Sequence, residues 1–284
     1  MKFRWLVRLV KKTTIKWWDD NALRLSAALS YYTLFSLAPL LTIAVAVAGL
    51  VVDETVVQDA VLGQFQALIG TPGAEAIANM LETASHPVQG SIATVVSVLT
   101  LLLISMGMFS ELQDALNQIW QIPPKGRAAL WGALKTRFLS FLLVMGTGFL
   151  LLVSLIVSAL LAILGKFVFR AVSGPQVIMT VMDVTVSFVV ITLLFALMFK
   201  ALPDGYIAWR DVWLGAVASG ALFTIGKWAI GLYLGTTAMA SIYGAASSLL
   251  VILVWVDYSA LIFFLGAEFT CVYANEYGSR ARKA

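Results

Sequence analysis

The chain has 284 residues, 61% of them hydrophobic and only 12% charged, with a formal net charge of +4. A water-soluble domain carries about twice that charged fraction, so water is not the main solvent of this protein. The single cysteine, Cys271, allows no intramolecular disulfide, and the single histidine, His86, is too little for a histidine-built metal site or catalytic relay.

Residues 2–18 read as an amphipathic interfacial helix. Phe3, Leu6, Leu9, Val10 and Trp17 share one face by helical spacing, and Arg4, Arg8, Lys11, Lys12 and Lys16 the other. Such a helix lies flat on a membrane, and each basic residue near an anionic surface adds on the order of 1 kcal/mol of attraction. Anionic lipid headgroups are therefore the expected partner of the segment 1–24, with plain topological anchoring as the alternative. Ala46-Val47-Ala48 resembles a signal-peptidase site, but the apolar run there starts too late and runs too long for a cleaved leader.

Six apolar runs follow. Residues 25–52, 83–110 and 138–165 carry no Asp, Glu, Lys or Arg, and each exceeds the ~20 residues that cross a bilayer core as a helix. The run 176–199 is interrupted only by Asp183, 212–234 contains Lys227, and 246–271 contains Asp257 and Glu268. These predict spans at about 25–52, 88–112, 138–165, 176–199, 212–234 and 246–271 in one integral membrane domain, with a tail at 272–284. The expected fold class is all-α: a polytopic protein of six transmembrane helices, an N-terminal interfacial helix and a short external helical hairpin.

Orientation follows from the loops, because Lys and Arg in short loops stay on the cytoplasmic side. The N-terminal segment holds Lys2, Arg4, Arg8, Lys11, Lys12, Lys16 and Arg24, whereas 53–82 holds Asp53, Glu54, Asp59, Glu75 and Glu82 with no basic residue. Lys125, Arg127, Lys135 and Arg137, then Lys200 and Arg210, then Arg280, Arg282 and Lys283 fit the alternation; Lys166 with Arg170 runs against it. Both termini are expected in the cytoplasm. The external segment 53–87 predicts two helices. Val57, Val61, Phe65 and Leu68 form one stripe before Gly70; Thr71-Pro72 restarts a helix whose stripe is Ile77, Met80, Leu81 and Ala84. A lid over a pathway and a packing hairpin are both open readings.

In the first span, Ser26, Ser30 and Thr33 share a face, and Tyr31 and Tyr32 add hydroxyls, so some of these must bond to other helices or water. Pro39 removes one backbone hydrogen bond and predicts a bend near Phe35, structural or gating. Charges within spans are stronger signals, since each costs roughly 2.5–3.5 kcal/mol at mid-membrane. Asp183 and Lys227 lie at similar depth, so Lys227 is expected to pair with Asp183 or Asp257; a purely structural pair or snorkelling of Lys227 are the bland readings. Asp257 and Glu268 fall on one face, ~16 Å apart. At the inner ends of the helices Asp19, Asp20, Arg24, Glu111, Asp114 and Asn117 collect near Glu268 and Asn275. They serve either as an ion- or proton-binding cluster or as salt bridges with Arg24, Lys135 and Arg137. Gly215-xxx-Ser219, Gly231-xxx-Gly235 and Gly244-Ala245-Ala246-Ser247-Ser248 predict close helix contacts.

No H-E-x-x-H, paired-cysteine, Walker or G-x-S-x-G motif occurs, so no catalytic residue, metal or cofactor is assigned and no enzyme activity is expected. The basic residues are explained by topology, which leaves no nucleic-acid partner. Homo-oligomerisation is open.

The stretch Ala27-Ala28-Leu29-Ser30-Tyr31-Tyr32-Thr33-Leu34-Phe35-Ser36-Leu37-Ala38-Pro39 resembles the signature of the YihY/BrkB family of bacterial inner-membrane proteins. So do Ala115-Leu116-Asn117-Gln118-Ile119-Trp120, Leu202-Pro203, Tyr243-Gly244-Ala245-Ala246-Ser247-Ser248 and Gly266-Ala267-Glu268. The resemblance spans nearly the whole chain. It implies a six-helix inner-membrane protein of a family once mislabelled ribonuclease BN, linked to virulence in one member and suspected of moving lipids or other envelope material. Two function classes follow. A transporter or flippase-like carrier would use a polar route lined by Lys227, Asp183, Asp257, Glu268, Tyr31, Tyr32, Ser30 and Pro39. A structural scaffold would have its buried charges paired and no route. A membrane-bound ribonuclease is the least supported.

Overall fold

The structure is a computed structural model, and it describes residues 2–49, 53–85, 107–123, 176–236 and 247–281. The predicted third span, 138–165, and most of the second lie outside the described residues. Among the described residues all regular structure is helical: α1 (Lys2–Asp19), α2 (Ala22–Gly49), α3 (Glu54–Ser85), α4 (107–119), α5 (Gln176–Ala201), α6 (Trp209–Thr236) and α7 (Ser247–Glu276). Stretches of α5 (Val184–Ala201) and α7 (Leu249–Glu276) are long and apolar enough to cross a bilayer. Val184, Val189 and Leu193 on α5 and Trp213, Leu214, Val217, Leu222 and Ile225 on α6 point outward, an apolar exterior suited to lipid.

α1 ends in a compact joint. Asn21 takes up the left-handed conformation (φ 55°) that closes a helix, with its N–H on the Trp18 carbonyl, and its own carbonyl then accepts from Arg24 to start α2. α2 continues through Pro39 to Gly49, so the proline does not end the helix. Asp53 caps α3, its carboxylate accepting from the Thr55 N–H at 2.9 Å and from the Thr55 hydroxyl, and these bonds hold its pKa below the usual carboxylate value. α3 is two helices meeting at Gly70, whose φ of 77° and ψ of 177° lie where a Cβ is not tolerated. The predicted hairpin break falls at this residue.

α7 is the hub, with α1, α2, α3 and α6 all packed on it and α5 packed on α6. Two apolar clusters divide its length. One joins Leu25 and Leu29 of α2, Leu116 and Ile119 of α4, Phe195 and Phe199 of α5, Ala216 of α6 and Phe263 and Phe264 of α7. The other joins Val45 of α2, Val57, Ile77 and Leu81 of α3 and Val251, Ile252 and Trp255 of α7. Both halves of α3 thus cover the N-terminal half of α7, while α1 packs at its C-terminal end, with Trp5 edge-on to Tyr277 and Lys12 paired with Glu276. Charge follows the same division. Asp53, Glu54, Asp59, Glu75 and Glu82 are exposed at the α3 end; Arg8, Lys11, Arg24, Arg210 and Arg280 are exposed at the α1 end.

Candidate functional site

The most concentrated polar chemistry lies where α1 meets the end of α7. Lys16 donates to Glu268 Oε2 at 2.6 Å, to Asp20 Oδ2 at 3.0 Å and to the Ile119 carbonyl at 2.7 Å. All three donors of the ammonium are used, and the Ile119 carbonyl is one of those that a helix leaves unsatisfied at its C-terminus. Glu268 is fully buried, and its second oxygen has no hydrogen-bond partner among the described residues. Cys271, one turn on, donates its thiol to the same Ile119 carbonyl at 3.4 Å and accepts from Asn275. Burial works against the charge of Lys16, but the acidic groups it faces, Cys271 and then Glu268 and Asp20, outweigh it and lift the pKa above its ordinary 10.5.

This placement corrects the helical-wheel reading of α1. Lys16, expected on the basic face, points into the bundle, and Lys12 pairs with Glu276; Leu9 and Val10, expected together on the apolar face, part company, Leu9 buried in the bundle and Val10 exposed. The inward face is instead Leu9, Thr13 and Lys16, because two carboxylates and a helix end give an ammonium better company there than water alone.

A second polar group ties α4 to the loop after α5. Asn117 donates to Asp204 Oδ2 at 3.0 Å and accepts from the Asp204 N–H at 2.9 Å, while Gln113 donates to Asp204 Oδ1 at 3.3 Å. Asp114 is its like-charged neighbour: partial burial first, then the charge of Asp204, raise its pKa, with Ser110 pulling the other way. The predicted inner cluster therefore divides. Asp20 joins Glu268 through Lys16, Asn117 and Asp114 gather around Asp204, Glu111 is half-buried, and Asp19 and Arg24 are exposed with no ion pair among the described residues. Lys135 and Arg137 lie outside the described residues. Beside these groups the tail folds back, Ser279 donating to buried Asp211 through its N–H and hydroxyl, and Arg280 lying over Trp120 and donating to the Tyr206 carbonyl.

Deeper in the bundle, Asp257 Oδ1 is buried with no hydrogen-bond partner among the described residues. Half-buried Lys227 forms no ion pair with it, and the Asp183 side chain lies outside what the structure describes, so that pairing is neither made nor broken here. Next to Asp257, Tyr258 presses its hydroxyl against Gly226, the neighbour of Lys227; a methyl at Gly226 would lie 1.1 Å from Tyr258 Oη. Further along the same seam Thr270 lies against Gly215 and Ser219 against Gly266, which places the Gly215-xxx-Ser219 pair where close packing was expected. Gly231, Gly235 and the small residues 244–248 lie outside the described side chains. On α2 the hydroxyls serve the helix itself. Ser26, Ser30, Thr33 and Ser36 donate to carbonyls three or four residues back, and among the described residues only Ser36 also reaches another helix, at Met108 Sδ. Ser30 is buried, but Tyr31 and Tyr32 are exposed, so the two halves of that motif face different ways.

Lys16, Asp204, Asp211 and Cys271 are the polar residues at this end that sequence reasoning left unassigned or misplaced. Their long-range partners among the described residues are 68 to 252 residues away, and the local signals were Lys16 four residues before Asp20 and Cys271 four before Asn275. No group of three His, Cys, Asp or Glu among the described residues is placed to hold a metal ion.

Among the described residues, long apolar helices with an outward apolar surface fit one class, that of all-helical membrane proteins. More narrowly, the chain belongs to the virulence factor BrkB family, which it matches over residues 13–284. It is similar to a UPF0761 membrane protein of Alkalilimnicola ehrlichii (29% identical over 270 residues, 93% of this chain and 58% of the relative). It is also similar to UPF0761 membrane proteins of Azotobacter vinelandii (27%, covering 89% and 60%) and Pseudomonas aeruginosa (27%, covering 89% and 59%). The chain thus spans about three-fifths of the length of these curated relatives. No solved structure matches it.

Proposed function

We propose that the protein is a carrier in the bacterial inner membrane, moving a lipid or another amphipathic envelope molecule along polar groups inside its helix bundle. It is not an enzyme. The observation that carries this reading is Asp257, a carboxylate on an apolar helix with one buried oxygen that finds no donor among the described residues. A polar group buried without a partner costs on the order of 1–3 kcal/mol, and a charge at bilayer depth costs more. A cost of that size is sustained where the group has work to do with something that comes and goes. The family resemblance points the same way. Six spans with both termini in the cytoplasm complete the reading, supported by acidic residues exposed at the α3 end and basic ones at the α1 end.

Reconstitution in vesicles with a headgroup-labelled phospholipid tests it. Translocation should depend on the protein and fall in Asp257→Asn and Lys227→Met; equal rates with and without protein overturn the lipid-carrier reading. The scaffold alternative draws on the tight α6–α7 seam and predicts variants that change stability and leave translocation at the protein-free rate.

A further inference from the structure

The outward face of α1 is unusual for its mixture. Trp18 is 67% exposed, and Val7, Val10 and Ile15 are each about half exposed, while Arg8 and Lys11 stand among them, also exposed. At 100° per residue, Val7, Lys11 and Trp18 fall within about 40° of one another, with Val10 and Ile15 flanking them and Arg8 at the edge. Water is a poor partner for four large apolar side chains on one 18-residue helix. No acidic residue occurs between positions 2 and 18, and the carboxylates nearest the opposite face are already engaged, Glu276 by Lys12 and Asp20 with Glu268 by Lys16. Apart from Thr14 and from Asp19 at its last residue, what α1 leaves uncovered among the described side chains is apolar or positive.

Its level along the bundle says what meets that face. Glu268, where Lys16 docks, is ~29 Å along α7 from Leu249, the start of the apolar stretch, at 1.5 Å per residue. That is about the thickness of a hydrocarbon core, so α1 packs where α7 passes into the headgroup layer. The two-residue joint at Asp20 and Asn21 then turns the chain into apolar α2.

We propose that the face formed by Val7, Val10, Lys11, Ile15 and Trp18, with Arg8 at its edge, docks on an anionic bilayer surface, its apolar side chains at the boundary between headgroups and acyl chains and its two cations on lipid phosphates. Lys16 takes no part, since it is turned to the bundle, and Lys12, though half exposed, is already held by Glu276.

The test uses the full chain in nanodiscs, with an environment-sensitive fluorophore on Thr14→Cys, an exposed position on this face, in a Cys271→Ala background. In discs containing phosphatidylglycerol, quenching by shallow spin-labelled lipid should exceed that in phosphatidylcholine discs about threefold or more, and 1 M salt, which shrinks the screening length to ~3 Å, should remove most of the excess. Arg8→Glu with Lys11→Glu should abolish the excess, and Lys12→Gln should preserve it. Equal weak quenching in both lipids overturns the proposal. So does a probe that is buried yet insensitive to the quencher lipid, the sign of a second copy covering the face, or a Lys12→Gln effect equal to the double charge reversal.

Discussion

Lys16 and Glu268, 252 residues apart in the chain, meet at 2.6 Å at the junction of α1 and α7. The contact turns a helix with the composition of a surface anchor into a structural part of the bundle. A buried carboxylate is tolerable there because one ammonium serves it, Asp20 and the end of α4 together.

Lys16→Met leaves Glu268 buried and unopposed, and should destabilise the protein by about 3–5 kcal/mol, the cost of breaking a buried pair by removing one partner. Glu268→Gln should also destabilise, and Lys16→Met combined with Glu268→Gln should lose less than the sum of the two. Thermal unfolding in detergent, arranged as a double-mutant cycle, measures the coupling; strictly additive losses would sink the pairing.

The α6–α7 seam makes a sharper steric prediction. An added methyl at Gly215 would lie 1.6 Å from Thr270 Oγ1, and at Gly266 1.7 Å from Ser219 Oγ; at Gly226 it would meet the Tyr258 ring, with Cζ at 2.2 Å. Alanine at Gly215 or Gly266 should cost about 1–3 kcal/mol, as overpacking does, and Gly226→Ala should force the Tyr258 ring out of its seat. Gly63→Ala, which meets nothing within 4 Å, should instead stabilise α3 by roughly 0.5–1 kcal/mol. Melting temperatures of the four variants test the ranking, and a Gly63→Ala loss equal to the others would refute the steric account.

These two cases mark how far the sequence could be read. The helices, the break at Gly70 and the small-residue seam at Gly215 and Ser219 were legible because each rests on local chemistry: apolar run length, a turn only glycine makes, residues three or four apart. Lys16 was misplaced because a helical wheel sorts residues by polarity and is blind to a carboxylate on a distant helix. The Ser26, Ser30 and Thr33 stripe was over-read for a related reason. Hydroxyls on a helix can satisfy themselves on their own carbonyls, as these do, so polarity inside a span does not by itself imply a polar neighbour.

Gly70→Ala tests the hinge of α3. A Cβ at φ 77° and ψ 177° is strained by about 1–3 kcal/mol, so the variant should either lose that stability or straighten the two helices into one and pull Ile77 and Leu81 off α7. Faster proteolysis at 70–85 with a lowered melting temperature is the expected result, and an unchanged digest would show that the hinge is not required for docking.

Asp114 and Asp204 predict a pH dependence of known sign. Asp114 has a raised pKa in the folded protein, from partial burial and then from Asp204, so its neutral form is the one folding favours. The stability it lends is fully present below its unfolded value, near the ordinary 3.8, and is lost as pH rises through the raised folded value. Asp114→Asn removes the titration and the repulsion together. The variant should therefore match the wild type at the acid end of that window and melt above it at neutral pH, and added salt should narrow the gap because the carboxylate is partly exposed to solvent. Asn117→Ala acts in the opposite direction, since it deprives Asp204 of its donor at 3.0 Å and of the acceptor for its N–H, and should destabilise at every pH. Melting curves from pH 4 to 8 for both variants separate repulsion from tethering; a neutral-pH loss in Asp114→Asn would mean that Asp114 holds the loop rather than straining it.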